Sequence, residues 1–319
     1  MRVAVDVTPL LGPVTGVGQT VRGLLGALPD AAPDVEVARW ELTRQAWPAP
    51  PSVLVRLWAR VGRPRGDRWL PEADVVHGTN FVVPPTARPA TVTVHDCWCA
   101  RSPGDCTPTI AAATATVRRA VDRGVWLHVS TEWGAAEVRE LYGAERVRVV
   151  PFGVPAVAEA GPSPVDGPYV LALGASDRRK GHDVLSKAMA DVPGVQLILA
   201  GSQSWVDDAT RAALLRGATA LAYPSRYEGF GFPVLEAMSV GVPVVASAVG
   251  GVPEVAGDAA LLVAPDDPGA LADALRTAVG DEAERSRLIT AGHARASSFT
   301  WEAHARGMAQ LWRDALEAA

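Results

Sequence analysis

The chain has 319 residues, 48% of them hydrophobic and 20% charged, with a net charge of −5. That length suits two α/β domains of about 150 residues each, and the composition leaves no room for a large disordered arm. An acidic balance gives no general attraction for nucleic acid, so any basic function must be local.

The first ten residues, Met1 to Leu10, start a strand at once, and Asp6 interrupts the apolar stretch that a signal peptide needs. The longest uncharged run, Ala237 to Pro253, contains Pro243 and several glycines and is shorter than a membrane span. A cytoplasmic location is therefore expected. Apolar β-type runs follow at Arg2–Val7, Val35–Trp40, Val75–His77, Thr91–His95, Trp126–Ser130 and Val147–Val150. Helical stretches fall between them at Gly18–Leu28, Thr109–Arg123 and Trp133–Tyr142. This alternation predicts a parallel sheet covered by helices.

Two segments in this half stand apart. Leu54–Trp69 carries Arg56, Arg60, Arg63, Arg65 and Arg68 among Leu57, Trp58 and Trp69. Gly62 and Pro64 break a long amphipathic helix there. That favours a solvated connection with its aromatics packed on the domain over a surface for anionic lipid or an acidic acceptor. Cys97, Cys99 and Cys106 form an odd set without an export signal, which predicts reduced thiols. A zinc site with His95 as fourth ligand is disfavoured, because Cys-Trp-Cys places its ligands too close.

From Pro151 to Pro168 prolines and glycines cluster, which marks residues 154–168 as a linker between a domain at 1–153 and another at 169–299. The alternation restarts with runs at Tyr169–Gly174, Val195–Gly201, Ala218–Pro224, Val242–Ala246 and Ala260–Val263. Helices at Pro268–Val279, Glu282–Ala296 and Thr300–Glu317 close the chain, and residues 300–319 are expected to pack back toward the first domain.

The chemistry concentrates in Tyr223–Glu236, Tyr-Pro-Ser-Arg-Tyr-Glu-Gly-Phe-Gly-Phe-Pro-Val-Leu-Glu. A strand ends at Pro224, a glycine-bearing loop follows, and Pro233 suits the first turn of a helix. The backbone of Gly229, Phe230 and Gly231 would face an anion at that helix N-terminus. The helix dipole adds only about 0.3–1 kcal/mol, so it orients a phosphate without binding it alone. Glu228 and Glu236, eight residues apart in sequence, must do separate jobs.

This stretch closely resembles the EGFGLPxLE signature of the retaining GT-B glycosyltransferases, the large group 1 family that holds many bacterial mannosyl- and glucosyltransferases. Ala237–Ser247 and Pro253–Asp258 continue the resemblance, and Leu173–Gly181 is similar to the family's basic phosphate-binding segment. In the first half Asp6–Leu10, Thr15–Gly18, His77–Asn80, Thr93–Asp96 and Val149–Gly153 fit as well, in the right order. The resemblance implies two Rossmann-like domains with a deep cleft between them, the second domain holding a nucleotide-sugar donor and the first facing the acceptor. It places Glu228 by the donor sugar, Glu236 on the ribose, and Arg179 and Lys180 on the diphosphate. Gly16 and Gly18 would lie under the donor phosphates, and His95 would position the reacting sugar, with His77 open between a structural and a site role.

No metal and no cofactor are expected beyond the donor itself, for which GDP-mannose is the first choice. The acceptor, whether glycan, lipid-linked or a small molecule, is unassigned, and a peripheral contact with the inner membrane face is left open.

One departure weakens the match. After Val195–Gly201 the chain runs straight into Asp207–Arg216, so a helix-plus-strand unit on the order of thirty residues is absent. That loss exposes Val195–Ala200 as a sheet edge and removes a segment that in relatives helps hold the nucleobase. It motivates the alternative of a non-catalytic relative that binds a nucleotide or partner. A nicotinamide dehydrogenase fits poorly, since Val21 stands where the third glycine of G-x-G-x-x-G belongs.

Overall fold

The computed structural model describes residues 1–12, 15–174, 177–201 and 206–319. Residues 175–176 of the basic segment, and 202–205 ahead of the expected helix at Asp207, lie outside the described residues. The chain divides into two compact units: Met1–Gly153 with Thr300–Ala319, and Val154–Phe299.

Unit 1 alternates β1 (Arg2–Asp6), α1 (Gly16–Ala31), β2 (Glu36–Trp40), α2 (Pro51–Val61), β3 (Val75–Gly78), β4 (Ala90–Thr93), α3 (Trp98–Arg101), α4 (Pro108–Asp122), β5 (Trp126–Val129), α5 (Glu132–Tyr142) and β6 (Val147–Val149). Its strands form one parallel sheet in the order β2-β1-β3-β4-β5-β6. Both faces are covered, so the strand residues are apolar without alternation. The period of two survives as a sorting between layers. Ala4 and Val76 pack into one cluster, with Trp58 and Val117, while Val3, Val5 and Val75 pack into the other, with Leu24 and Leu28 of α1.

Unit 2 contains β7 (Tyr169–Leu173), α6 (His182–Ala188), β8 (Gln196–Ala200), α7 (Asp208–Gly217), β9 (Ala220–Tyr223), α8 (Phe232–Ser239), β10 (Val244–Ser247), α9 (Val252–Ala256), β11 (Leu261–Val263), α10 (Pro268–Gly280) and α11 (Glu282–Ser297). Its parallel sheet runs β11-β10-β9-β7-β8, which leaves β8 at an edge.

The last helix, α12 (Trp301–Glu317), belongs to unit 1. It buries Ala305, Met308, Leu311 and Trp312 against the cluster that holds Val3, Val5 and α1. Gly23 of α1 allows the approach, because a Cβ there would lie 2.3 Å from the Trp301 ring.

Three sequence expectations change. The first helix begins at Gly16, two residues before the expected Gly18, because Thr15 caps it by accepting from the Gly18 N–H. Within the arginine-rich segment lies an unforeseen eleven-residue helix, α2, which begins at Pro51 and stops at Gly62 in the left-handed region (φ +66°). Its inner side buries Leu54, Val55 and Trp58, whose indole N–H donates to the Pro64 carbonyl at 2.9 Å. Trp58 and Trp69 both pack on Trp47, at ring separations of 5.3 and 5.7 Å, so the expected packing of the aromatics holds. Val53, Leu57 and Val61 remain exposed beside Arg56 and Arg60. Finally, Cys99 and Cys106 form a disulfide, because α3 and the turn after it bring their Cα atoms to 5.8 Å. They are therefore neither reduced thiols nor zinc ligands, and Cys97, outside the bridge, is buried with its thiol pushed up to about 12 mainly by burial.

Candidate functional site

The loop between β9 and α8 is shaped by two close backbone approaches. A Cβ on Gly181 would meet the Pro224 carbonyl oxygen at 2.1 Å, and one on Gly250 would meet that of Glu228 at 1.9 Å. Both glycines also have positive φ, so no other residue fits either place without moving the loop. The Gly251 N–H donates to the Glu228 carbonyl at 3.0 Å and fixes the backbone that carries this carboxylate.

Glu228 is 8% exposed, and the Lys180 ammonium donates to its Oε1 at 2.6 Å. Lys180 also lies over the Tyr223 ring at 5.3 Å. Burial disfavours the Glu228 carboxylate, but the Lys180 and Arg179 cations outweigh it and hold its pKa below the ordinary value. The same surroundings, burial first and the Glu228 charge second, push the Tyr223 phenol well up. A buried ion pair gains little stability over an apolar pair of the same size. Its presence on a loop after a strand therefore makes this loop the candidate site.

Arg179 belongs to a one-turn helix, Arg178–Lys180, which packs on the β9–α8 loop. Arg226 ties the two together. Its backbone N–H donates to the Arg179 carbonyl at 2.7 Å and its Nη1 to that of Arg178 at 2.6 Å. The guanidinium is held in turn by Asp183 at 2.8 Å and Asp266 at 2.6 Å. Sequence reasoning missed Arg226, although it stands inside the motif, because its carboxylates come from distant segments.

Gly231 caps α8 at φ +105°, and Pro233 follows in the first turn, as its fixed φ suits. Phe230 is a core residue, packed on Phe232 at 5.2 Å and Phe299 at 5.8 Å, so only its backbone is suited to meet a donor. Glu236, one turn into α8, is 7% exposed. Arg211 of α7 donates to its Oε2 at 2.5 Å. This second missed residue follows the loop where the sequence is short, and only the tertiary fold brings α7 beside α8.

In unit 1 His95 lies just past β4. Its Nε2–H donates to the Thr79 carbonyl at 2.9 Å, and its ring stacks on Phe152 at 5.7 Å. Burial lowers its pKa, leaving a neutral ring with Nδ1 as acceptor.

His77 is buried at 1% exposure and hydrogen-bonded within the sheet. Its Nδ1 pairs with Thr91 at 2.8 Å and its Nε2 approaches Thr93 at 3.5 Å. Thr93 continues to His128 Nδ1 at 2.9 Å, and His128 Nε2–H donates to the Val150 carbonyl at 2.9 Å. His304 of α12 donates to the Pro151 carbonyl at 3.0 Å. Carbonyls accept only, so the tautomers of His95, His128 and His304 are fixed. Asp6, at the end of β1, accepts from the Thr8 N–H at 2.9 Å, and burial raises its pKa to about 6.

Residues 205–295 match the family described as glycosyl transferases group 1. The chain is 28% identical over 271 residues to the O-antigen chain mannosyltransferase B of Escherichia coli, covering 72% of this chain and 71% of that one. It is 32% identical over 236 residues to the D-inositol 3-phosphate glycosyltransferase of Xylanimonas cellulosilytica, covering 59% of this chain and 57% of the relative. The Anabaena protein HepE, solved with UDP and glucose, superimposes with a TM-score of 0.70 at 17% identity, covering 98% of this chain and all of that one. Such a likeness speaks for the fold, which is that of the GT-B glycosyltransferases. The match to the group 1 glycosyltransferase family covers residues 205–295, within unit 2, and the solved structures add a likeness of fold.

Proposed function

We propose that this chain is a group 1 glycosyltransferase that moves a hexose, mannose in the first instance, from a nucleoside-diphosphate sugar to a hydroxyl acceptor with retention of configuration and without a metal. One observation carries the reading. Unit 2 gathers two cations and a buried carboxylate at one glycine-shaped loop, with Lys180 bound to Glu228 at 2.6 Å and the Arg179 charge felt by the same carboxylate. Arg179 and Lys180 supply the fixed positive charge that a departing diphosphate needs, and Glu228 borders the sugar. Glu236 reads the ribose hydroxyls, and the backbone of Gly229, Phe230 and Gly231 meets the phosphates. For Gly16 and Gly18, in the first turn of α1, and for the neutral ring of His95, the roles toward the donor phosphates and the sugar rest on the family resemblance alone.

In the reaction the bond from C1 to the diphosphate oxygen breaks, and the acceptor hydroxyl oxygen bonds C1 on the same face. The acceptor proton passes to the departing phosphate, so the products are a glycoside and a nucleoside diphosphate. A mannosyl donor is supported by the O-antigen relative and a nucleotide by the UDP in HepE. A cytoplasmic enzyme that touches an anionic membrane face fits the exposed Val53, Leu57 and Val61 beside Arg56 and Arg60.

Calorimetric titration with GDP, UDP and ADP tests the reading. Binding of one nucleotide, weakened at least about tenfold in Arg179→Ala/Lys180→Ala, is expected from the loss of two charge-assisted contacts. Folded protein that binds none of the three would overturn it. The second reading, a binder that does not turn over, draws on Arg211 already occupying Glu236. It predicts nucleotide binding with no release of diphosphate from any nucleotide sugar.

A further inference from the structure

At the carboxyl ends of β1 and β2, where ligands settle on parallel sheets, unit 1 opens a groove of about 610 Å³. Val7, Arg39, Trp40, Glu41, Arg68 and Trp69 line it. The volume lies within the range of about 300–1,000 Å³ typical of small-molecule sites. Arg39 and Arg68 are exposed, and among the described residues neither side chain makes a hydrogen bond or an ion pair. Among the described residues Glu41 pairs with neither of them, and its carboxylate accepts only from Thr43, at 3.4 Å. Two exposed cations at the rim of one groove raise the local positive potential and favour an anion there. Trp69 is half-buried and held by Trp47, so it presents a fixed aromatic wall. Trp40, on the same wall, has a buried indole N–H with no acceptor among the described residues.

These groups differ in chemistry and complement one another. Guanidinium forks match phosphate and carboxylate oxygens. An indole face suits the apolar face of a sugar ring, and a lone carboxylate accepts from sugar hydroxyls.

We propose that this groove seats an acidic acceptor, a sugar ring bearing a phosphate or carboxylate, with the anionic group on Arg39 and Arg68, the ring on Trp69 and a hydroxyl on Glu41. The assignment rests on the transferase reading only for the word acceptor; the ligand chemistry comes from the groove.

The test is direct titration of glucose 6-phosphate and glucuronate, with glucose and inorganic phosphate as controls, into the wild type and Arg39→Gln/Arg68→Gln. Both substitutions are on the surface, and an unchanged melting temperature would show that the fold is intact. The acidic sugars are expected to bind at least about tenfold more tightly than either control, and the double variant to lose that advantage. Trp69→Ala is expected to weaken the sugar phosphate while leaving inorganic phosphate alone. Equal binding of glucose and its phosphate, full affinity in the double variant, or no binding of any probe would overturn the proposal.

Vesicles containing phosphatidylinositol, against phosphatidylcholine alone, separate two sources of this chemistry. Sedimentation lost in the double variant points to a lipid headgroup, and unchanged sedimentation alongside tight soluble binding points to a free sugar phosphate. Nucleotide titration on the same samples keeps the two readings apart. Acidic sugars bound without any nucleotide would leave the groove standing and remove the transferase, and the reverse result would do the opposite.

Discussion

Arg211 and Glu236 show how a missing stretch of chain changes the work of a single residue. Burying a carboxylate to 7% exposure is costly without a partner, and here the partner is a guanidinium from the helix that follows the short loop. Arg211→Ala leaves that carboxylate uncompensated. Because the arginine side chain is 30% exposed, water replaces part of it, and a loss of about 1–3 kcal/mol is expected, below the full cost of breaking a buried pair. A urea unfolding midpoint unchanged from the wild type would refute the pairing.

The buried histidines are a second residue-scale case. Burial drives His77 down to about 3 and His304 to about 4, and it pushes His128 well below the ordinary value too. All three are neutral in the folded chain, whereas in the unfolded chain they protonate below about pH 6.5. Stability is therefore full above pH 6.5 and falls as the pH drops toward 4, by up to about 1.4 kcal/mol per pH unit per histidine. Asp6 works the other way between 6 and 3.8, since its raised pKa lets the folded chain take up a proton, and it offsets one histidine. A net loss remains. Of the ten tryptophans only Trp205 lies outside unit 1, so fluorescence follows this unit. The urea midpoint is expected to be lower at pH 5 than at pH 7.5, and to vary less with pH in His304→Asn; a flat wild-type profile would refute this account.

At the scale of elements, α12 and α2 carry the sharpest expectations. Burying Met308, Leu311 and Trp312 contributes about 1.5–3 kcal/mol each. Their sum is comparable with the whole stability of a domain, about 5–15 kcal/mol. Removal of residues 300–319 is thus expected to unfold unit 1, seen as red-shifted tryptophan emission, and a native spectrum would contradict the packing. The outward side of α2 predicts that Val53→Ser/Leu57→Ser/Val61→Ser reduces sedimentation with anionic vesicles while nucleotide binding is unchanged. The strands were legible because both faces are buried, so Val3 to Val5 or Val75 to Val76 read as unbroken apolar runs. Helix α2 was not legible, since Arg56 and Arg60 alternate with the outward apolar residues and blur the period of 3.6.

For the whole molecule, the candidate donor loop was legible as a motif: Glu228, Gly231 and Glu236 fall where the sequence placed them relative to β9 and α8. Its supports were not. The partners of Arg226 are 43 and 40 positions away, at Asp183 and Asp266, and that of Arg211 is 25 away. The Cys99–Cys106 bridge depends on a turn that no local spacing dictates. Charge pairing across elements is written in the fold, while backbone shape is written in glycine and proline.

The placement of α12 also sets an order of assembly. Translation delivers all of unit 2 before the helix that completes the core of unit 1. The usual rule of N-terminal folding during synthesis is therefore reversed. The first half of the chain leaves the ribosome as an unfinished template, with Val3, Val5, Leu24 and Val75 exposed until α12 arrives. Ribosome pausing between Phe299 and α12, or loss of the codons for α12, would harm the part of the protein that was made first.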